Sequence, residues 1–144
     1  MDSNYGIGGE VLTLDELSVF SDSLDRVLKN GEFLDHFYKH FIQSSTEVAR
    51  VFDGVNMDRL KSKLATTLNL TAQVNIDPKG VSRHLKTVGG YHQKLSIPPS
   101  MYYQWTESLI TSLKGCDKEF TEDVEKVWRK AINVAVSRMH AGYS

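Results

Sequence analysis

The chain has 144 residues and a formal net charge of −1, from 17 basic and 18 acidic side chains. This length fits one domain, and the charge balance argues against nucleic-acid or anionic-membrane binding, both of which favour a basic excess. The single cysteine, Cys116, excludes an internal disulfide and a zinc–cysteine cluster, so a reducing, cytoplasmic location is expected.

The N-terminal segment MDSNYGIGGE is polar and rich in glycine, without the apolar core of a signal peptide. Residues 1–12 are therefore expected to form a flexible tail, and residues 13–144 a single domain. The first helix is predicted to start at Thr13, because Glu16 three positions later completes a capping-box pattern. The Asn-Gly pair at the end of TLDELSVFSDSLDRVLKNG predicts its stop.

The second helix is predicted in GEFLDHFYKHFIQSS, where Phe33, Phe37 and Phe41 recur every four residues. STEVARVF predicts a short helical turn, and DGVN predicts a loop. The next segment, MDRLKSKLATTLNLTAQV, carries leucines every four residues, as a helix with one apolar face requires. The Asp-Pro pair that follows breaks it, because a residue before proline disfavours the helical conformation.

Three further helices complete the pattern. They are PKGVSRHLKTVGGYHQKL, then SMYYQWTESLITSLKG after an IPPS break and with Ser100 as its cap, and finally TEDVEKVWRKAINVAVSRMH starting near Thr121. No stretch alternates with period two for long enough to predict a strand. The sequence therefore predicts an all-α fold with six or seven helices.

Among the histidines, His92 is the strongest candidate for a ligand. It lies on the same helical stripe as the apolar residues Leu85 and Val88, so its ring points toward the core and needs a hydrogen bond, a metal or solvent. The ordinary alternative is a half-buried histidine near a helix C-terminus. Gly89 and Gly90 remove side chains one turn before it, which would let a flat ligand or another helix approach closely.

Other residue types with reactive potential are less suggestive. His36 and His40 are spaced i, i+4, as metal ligands can be, but only Asp35 lies near enough in sequence to join them, so exposed histidines are expected. Cys116 is expected to be structural or incidental, since a lone cysteine usually is. No phosphate-binding loop and no nucleophile-elbow context accompany the serines and histidines.

Several segments, in this order, resemble those of bacterial haem globins. FYKHF resembles the segment in which a tyrosine reaches the distal face of the haem, which assigns that role to Tyr38. VFDG is similar to the corner whose phenylalanine packs on the haem plane, here Phe52. DRLKSKL resembles the distal helix of globin-coupled oxygen sensors and places Leu60 and Leu64 on the distal face.

GGYHQKLSIPPSMYYQW resembles the proximal segment of the same family. It assigns His92 as the proximal iron ligand and Tyr102, ten positions later, as the proximal tyrosine. Leu85 and Val88 would then contact the proximal side of the ring, and the glycine pair would give clearance beside it. Leu60 and His92 lie 32 positions apart, as the resemblance requires.

The resemblance implies a globin fold of six to eight helices around a haem b pocket. His92 would hold the iron and Tyr38 would donate a hydrogen bond to bound O2, while the distal leucines would keep the pocket dry. Within this family, the chain most resembles the sensor globins and next most resembles single-domain flavohaemoglobin-type haemoglobins. The residues that would meet the haem propionates stay open among Arg59, Lys63 and Arg83.

Two departures from flavohaemoglobins bear on the chemistry. Leu60 stands where those proteins usually have a distal glutamine. They also use a late glutamate to polarise the proximal histidine, whereas no Asp or Glu follows Glu125 here. Weaker polarisation makes a strong peroxidase activity unexpected. The chain also lacks the length for a flavin reductase domain beside the globin.

The expected function is reversible binding of O2, and of CO and NO, as an oxygen-sensor domain that acts on a downstream output domain or partner protein. The alternatives are a stand-alone haemoglobin for O2 storage and delivery, NO dioxygenation with an external reductase, a weak peroxidase, or a haem-free interaction domain. Sensor globins also suggest a homodimer through the last two helices. The residues expected there are Trp105, Val124, Val127 and Ile132, with a core role equally consistent.

Overall fold

A computed structural model of the protein describes residues 12–143, and these residues form seven α-helices without a strand. The predicted all-α class with six or seven helices is confirmed. None of the helices in this range is both long and apolar enough to cross a membrane. In chain order the helices are α1 (Leu14–Lys29), α2 (Phe33–Gln43), α3 (Thr46–Val51), α4 (Met57–Thr71), α5 (Pro78–Lys94), α6 (Met101–Cys116) and α7 (Glu122–His140).

The predicted N-terminal tail lies outside the described residues, except for its last residue. Leu12 is buried in the main core, and its carbonyl accepts a hydrogen bond from the side-chain amide of Asn75. This contact attaches the start of the described chain to the turns between α4 and α5.

Local capping sets most helix starts, as the sequence predicts. Thr13 and Glu16 form the reciprocal capping box at α1, and the Thr121 hydroxyl accepts a hydrogen bond from the Val124 amide at α7. Ser100 differs from the prediction: it precedes α6, but its side chain makes no capping hydrogen bond. Its backbone is already helical, with φ −60° and ψ −24°, so its hydroxyl is not placed to accept from the first turn.

A buried polar network holds α1 to the C-terminal half of the fold. The Trp128 indole donates to Ser23 at 2.8 Å, and the Ser23 hydroxyl donates to Asp117 at 2.6 Å. Arg26 donates to the same carboxylate from two nitrogens, at 2.8 and 3.0 Å. Burial raises the pKa of Asp117, but the hydrogen bonds from Arg26 and Ser23 outweigh it and leave that pKa below its usual range. The network therefore fixes α1 against α7 with its charge satisfied.

The glycines of α5 serve a helix contact. A side-chain carbon added at Gly89 would lie 1.8 Å from the Met139 carbonyl oxygen in α7, and one at Gly142 would lie 2.0 Å from the Lys86 carbonyl oxygen in α5. The two backbones therefore touch without intervening side chains. The sequence left open whether a flat ligand or another helix lies against the glycine pair, and the structure places α7 against Gly89. The expected clearance beside a ring is wrong for Gly89, because α7 occupies the space.

This contact predicts opposite effects for two neighbouring substitutions. Gly89→Ala should lower the free energy of unfolding by about 1–3 kcal/mol, because the methyl group forces α5 away from α7. Gly90→Ala is the matched control: its methyl group would meet the Gly142 carbonyl at 3.4 Å, an ordinary contact. Higher helix propensity should leave it neutral or stabilised by up to about 1 kcal/mol. Urea unfolding followed by circular dichroism measures both, and equal stabilities would contradict the contact.

Candidate functional site

Tyr38, on α2, is a buried hydrogen-bond donor. Its side chain is 7% exposed, and its ring packs edge-to-face on Phe37 and Phe52, with centroids 4.8 and 5.8 Å away. The hydroxyl donates to the Leu60 backbone carbonyl at 3.1 Å. Burial raises the pKa of Tyr38, so the phenol keeps its proton. A protonated phenol held among aromatic rings can donate to a small polar ligand that displaces the carbonyl.

The two leucines predicted on the distal side lie one turn apart on α4. Leu64 is buried and Leu60 is half-buried, and both belong to the same apolar cluster as Tyr38 and Phe52. Lys61, between them, forms an ion pair with Asp35 at 2.5 Å, which ties α4 to α2. The structure therefore brings the four predicted distal residues together.

His92 lies in the last turn of α5, and one of its two ring nitrogens is hydrogen-bonded. Its Nδ1 is 2.8 Å from the hydroxyl of Tyr102, the residue that the resemblance assigned as the proximal tyrosine. No described residue hydrogen-bonds to Nε2, and this atom is not among the fully buried unpaired atoms of residues 12–143. Burial lowers the pKa of His92, which favours the neutral ring. A neutral imidazole with one nitrogen held and the other open is the form that binds a metal ion.

The hydrogen bonds continue from Tyr102 to the end of the described chain. The Tyr143 hydroxyl lies 3.4 Å from the Tyr102 hydroxyl and donates to the Ile97 carbonyl at 2.8 Å. Burial, helped by the hydrogen bond with Tyr143, raises the pKa of Tyr102. The group beside His92 is thus a neutral phenol, connected to a second phenol and then to a backbone carbonyl.

The predicted distal and proximal residues pack in separate apolar clusters. Leu85, Val88 and Tyr102 belong to a smaller cluster formed mainly by α5 and the end of α7, with Val88 only partly buried. Trp105 and Val136 touch both clusters. Leu85 is fully buried and shares its face of α5 with Gly89, toward α7. Val88 lies one turn before His92 and shares a face of the helix with that histidine.

The other residues considered in the sequence do not form a second site. His36 and His40 are exposed, their ring centroids are 6.5 Å apart, and His36 lies 3.5 Å from Glu32. Residues 12–143 contain no group of three or more potential metal ligands of the histidine, cysteine or carboxylate type. Burial raises the pKa of Cys116, which disfavours the reactive thiolate. The propionate candidates Arg59, Lys63 and Arg83 are all exposed.

The residues expected at a dimer face serve mainly the intramolecular core. Val124, Val127 and Ile132 are buried within the described chain, and only Trp105 is half-exposed. A cleft of about 350 Å³ does lie between α6 and α7 and reaches Tyr102 and His140. Arg129, which lines the cleft, is already held by Glu107 and Glu125.

The family model for globins matches residues 21–139, most of the chain. The chain is a globin. Globin membership implies a haem-binding chain with diatomic gases as ligands, and the arrangement around His92 is compatible with that role. The seven helices of the described residues therefore form a globin fold.

Similar proteins come from bacteria and from an animal. The globin is 27% identical over 101 residues to the flavohemoprotein of Rhizobium meliloti (strain 1021), covering 68% of this chain and 25% of that protein. A Pseudomonas aeruginosa PAO1 protein described as structurally highly homologous to a human hemoglobin superposes with a TM-score of 0.82 at 21% identity, over 90% and 98% of the two chains. A neuroglobin of the acoel Symsagittifera roscoffensis gives 0.69 at 17% identity, over 92% and 99%. The two solved structures support the fold.

Two features of this globin's site were missed in the sequence. The Leu60 carbonyl is the partner of Tyr38, and a backbone acceptor carries no sequence signal. The second feature is Tyr143, because the resemblance points to a carboxylate late in the chain as the partner of the proximal side. A search for any side-chain hydroxyl after α7 would have found it.

The burial of His92 predicts a pH dependence of stability in the haem-free protein. Because its folded-state pKa lies below the unfolded value of about 6.5, the unfolded chain takes up the proton first. The contribution of His92 to the free energy of unfolding is therefore zero at higher pH. It destabilises the fold as pH falls below about 6.5. A His92→Gln variant should lack that part of the pH profile. An NMR titration midpoint for His92 at or above 6.5 would contradict the assignment.

Proposed function

We propose that this globin binds haem b through His92 and uses it to bind O2 reversibly, with CO and NO as further ligands. The observation that carries the proposal is the state of His92: its ring is kept neutral by burial, Nδ1 lies at Tyr102, and no hydrogen bond reaches Nε2 from the part of the chain that the structure describes. Such an imidazole can coordinate iron without losing an existing hydrogen bond. Ferrous haem held there would supply an open coordination position for a diatomic gas.

The surrounding residues fit a flat, largely apolar group. The distal residues Tyr38, Phe52, Leu60 and Leu64 lie in one cluster, while Leu85, Val88 and Tyr102 lie in the other. A haem between the clusters would bury the exposed parts of Phe52, Leu60 and Val88, which are only half-buried in the protein alone. Burial of apolar area contributes about 25 cal/mol per Å² to binding.

Tyr38 is the donor that we assign to the bound gas. Its single proton is used on the Leu60 carbonyl, so donation to a ligand requires release of that bond. The release costs only about 0.5–1.5 kcal/mol, because a neutral hydrogen bond contributes no more than that net. Leucine at position 60 would keep water away from this side. A dry pocket limits the proton-assisted loss of superoxide that would end reversible O2 binding.

We further propose sensing as the use of the bound gas, because Leu60 matches the distal leucine of the sensor globins that the sequence resembles. The second candidate is NO dioxygenation, favoured by the similarity to a flavohemoprotein. Rapid NO consumption by the O2-loaded protein, sustained by an added reductase, would favour the second. Reversible O2 binding with slow NO turnover would favour the first.

The ligand role of His92 predicts a chemical rescue. In His92→Gly, the Soret band of the haem complex should be lost or shifted and haem affinity should fall, because the iron loses its protein ligand. Added imidazole should restore the band by occupying the vacated space. His84→Gly is the matched control: His84 lies on the same helix, is exposed, and introduces the same glycine cost. An unchanged spectrum in His92→Gly would overturn the assignment.

The donor role of Tyr38 predicts a selective kinetic effect. Tyr38→Phe should raise the O2 dissociation rate by roughly 10- to 100-fold, because a hydrogen bond to a partly charged acceptor is worth about 1.5–3 kcal/mol. CO serves as a control ligand, since little charge develops on its outer atom and its dissociation should change far less. Stopped-flow ligand replacement measures both rates. Equal acceleration for the two gases would indicate a loss of packing in place of a lost donor.

A further inference from the structure

Tyr143 ends a chain of hydrogen bonds that begins at His92. His92 Nδ1 is 2.8 Å from the Tyr102 hydroxyl, the two phenol oxygens are 3.4 Å apart, and the Tyr143 hydroxyl is 2.8 Å from the Ile97 carbonyl oxygen. The last of these groups has a fixed role, because a backbone carbonyl can only accept. The single proton of Tyr143 is therefore committed to Ile97.

This end point gives the whole chain a direction. With its proton on Ile97, Tyr143 can take part in the contact with Tyr102 only as an acceptor, so a hydrogen bond between the two phenols has Tyr102 as its donor. The Tyr102 oxygen is then left to accept, and the group facing it is His92 Nδ1. In that arrangement the proton of the neutral imidazole lies on Nδ1, which leaves the lone pair on Nε2.

We propose that Tyr143, acting through Tyr102 and the Ile97 carbonyl, selects the tautomer of His92 that can bind iron. Tyr143 is thus a positioning residue of the proximal site. Its benefit to haem binding rests on the proposed function, whereas its effect on the tautomer is a property of the protein alone. Without Tyr143, the Tyr102 hydroxyl would be free to donate to Nδ1, and the proton of His92 would move to the nitrogen that the iron needs.

The backbone holds both ends of this relay in place. The Ile97 amide donates to the His92 carbonyl at 3.0 Å, so the acceptor at the end of the relay belongs to the same turn as the histidine. That turn contains Ser96 in the left-handed region, at φ 62°. On the other side, Gly142 lies directly on α5, where a side-chain carbon would meet the Lys86 carbonyl oxygen at 2.0 Å. The turn carrying Tyr143 therefore sits against the helix that carries His92.

No charged group lies within the relay itself. The His140 ring packs edge-to-face on Tyr102 with centroids 5.1 Å apart, but its side chain is exposed and forms no hydrogen bond to either phenol among the described residues. Arg129, in the neighbouring cleft, is held by Glu107 and Glu125. A neutral carbonyl polarises the relay less than a carboxylate would, so it sets the position of the proton without removing it.

The link between the two phenols is the weakest step. Its 3.4 Å is long beside the usual ~2.8 Å for hydroxyl pairs, so its loss should shift the tautomer equilibrium without abolishing the Nδ1–H form. Tyr143→Phe removes this link and keeps the ring that packs on Tyr102 and His140. Tyr103→Phe is the matched control, because Tyr103 lies beside Tyr102 but is 69% exposed.

Nitrogen-15 NMR of the haem-free protein, at a pH where His92 is neutral, tests the relay directly. The wild-type protein and Tyr103→Phe should show mainly Nδ1–H, and Tyr143→Phe should show an increased Nε2–H fraction. Tyr102→Phe removes the relay entirely and gives the tautomer populations of His92 without it. Adding Tyr143→Phe to Tyr102→Phe should not change those populations further. Identical tautomer populations in Tyr143→Phe and wild type would overturn the proposal.

Haem binding supplies the second readout. Haem affinity of Tyr143→Phe should fall by up to roughly 10- to 100-fold, the usual range for a residue that orients a metal ligand. The iron–histidine stretching frequency in resonance Raman spectra should also shift to lower values, because Nδ1–H is less polarised. If the wild-type protein fails to bind haem while the tautomer responds, the proposed function fails and the relay stands. If haem binds but the tautomer does not respond, the relay fails.

Discussion

The close approach of α5 to the end of α7 is the constraint on which the surroundings of His92 depend. Gly89 and Gly142 leave no side chain between the two backbones, so α5 rests on α7 along the turns that precede His92. This contact brings Tyr143 within hydrogen-bonding range of residues about forty positions earlier. Any larger residue at these glycines would separate the helices and move the histidine relative to the groups that orient it.

The site combines two neutral hydrogen-bonding groups with apolar packing. Tyr38 is kept protonated by burial and held by the Leu60 carbonyl, while His92 is kept neutral by burial and held by Tyr102. Within residues 12–143, neither group is paired with a charged side chain. A site of this kind suits binding of an uncharged gas, because a carboxylate partner would give the histidine stronger electron donation than a neutral phenol gives.

The fold itself was largely predictable, because helix boundaries follow from local patterns. Thr13 with Glu16, and Thr121 at the start of α7, cap their helices through contacts three residues apart. Ser100 shows the limit of such patterns, since its residue type suits a cap but its backbone conformation does not place the hydroxyl there. The resemblance to a family assigned Tyr102 and His92 to the same side of the site, and the hydrogen bond between them came from the structure.

The sequence by itself determined the seven helical segments, the apolar stripe that turns His92 inward, and the position of Tyr38 among phenylalanines, because these depend on spacing within one helix. The tertiary structure decided what each group meets: α7 at Gly89, the Leu60 carbonyl at Tyr38, the core at Val124 and Val127, and Tyr143 at Tyr102. These contacts join residues between about 20 and 50 positions apart or use backbone atoms common to every residue. Periodicity and residue type contain no record of either, so only the packing of the helices could reveal them.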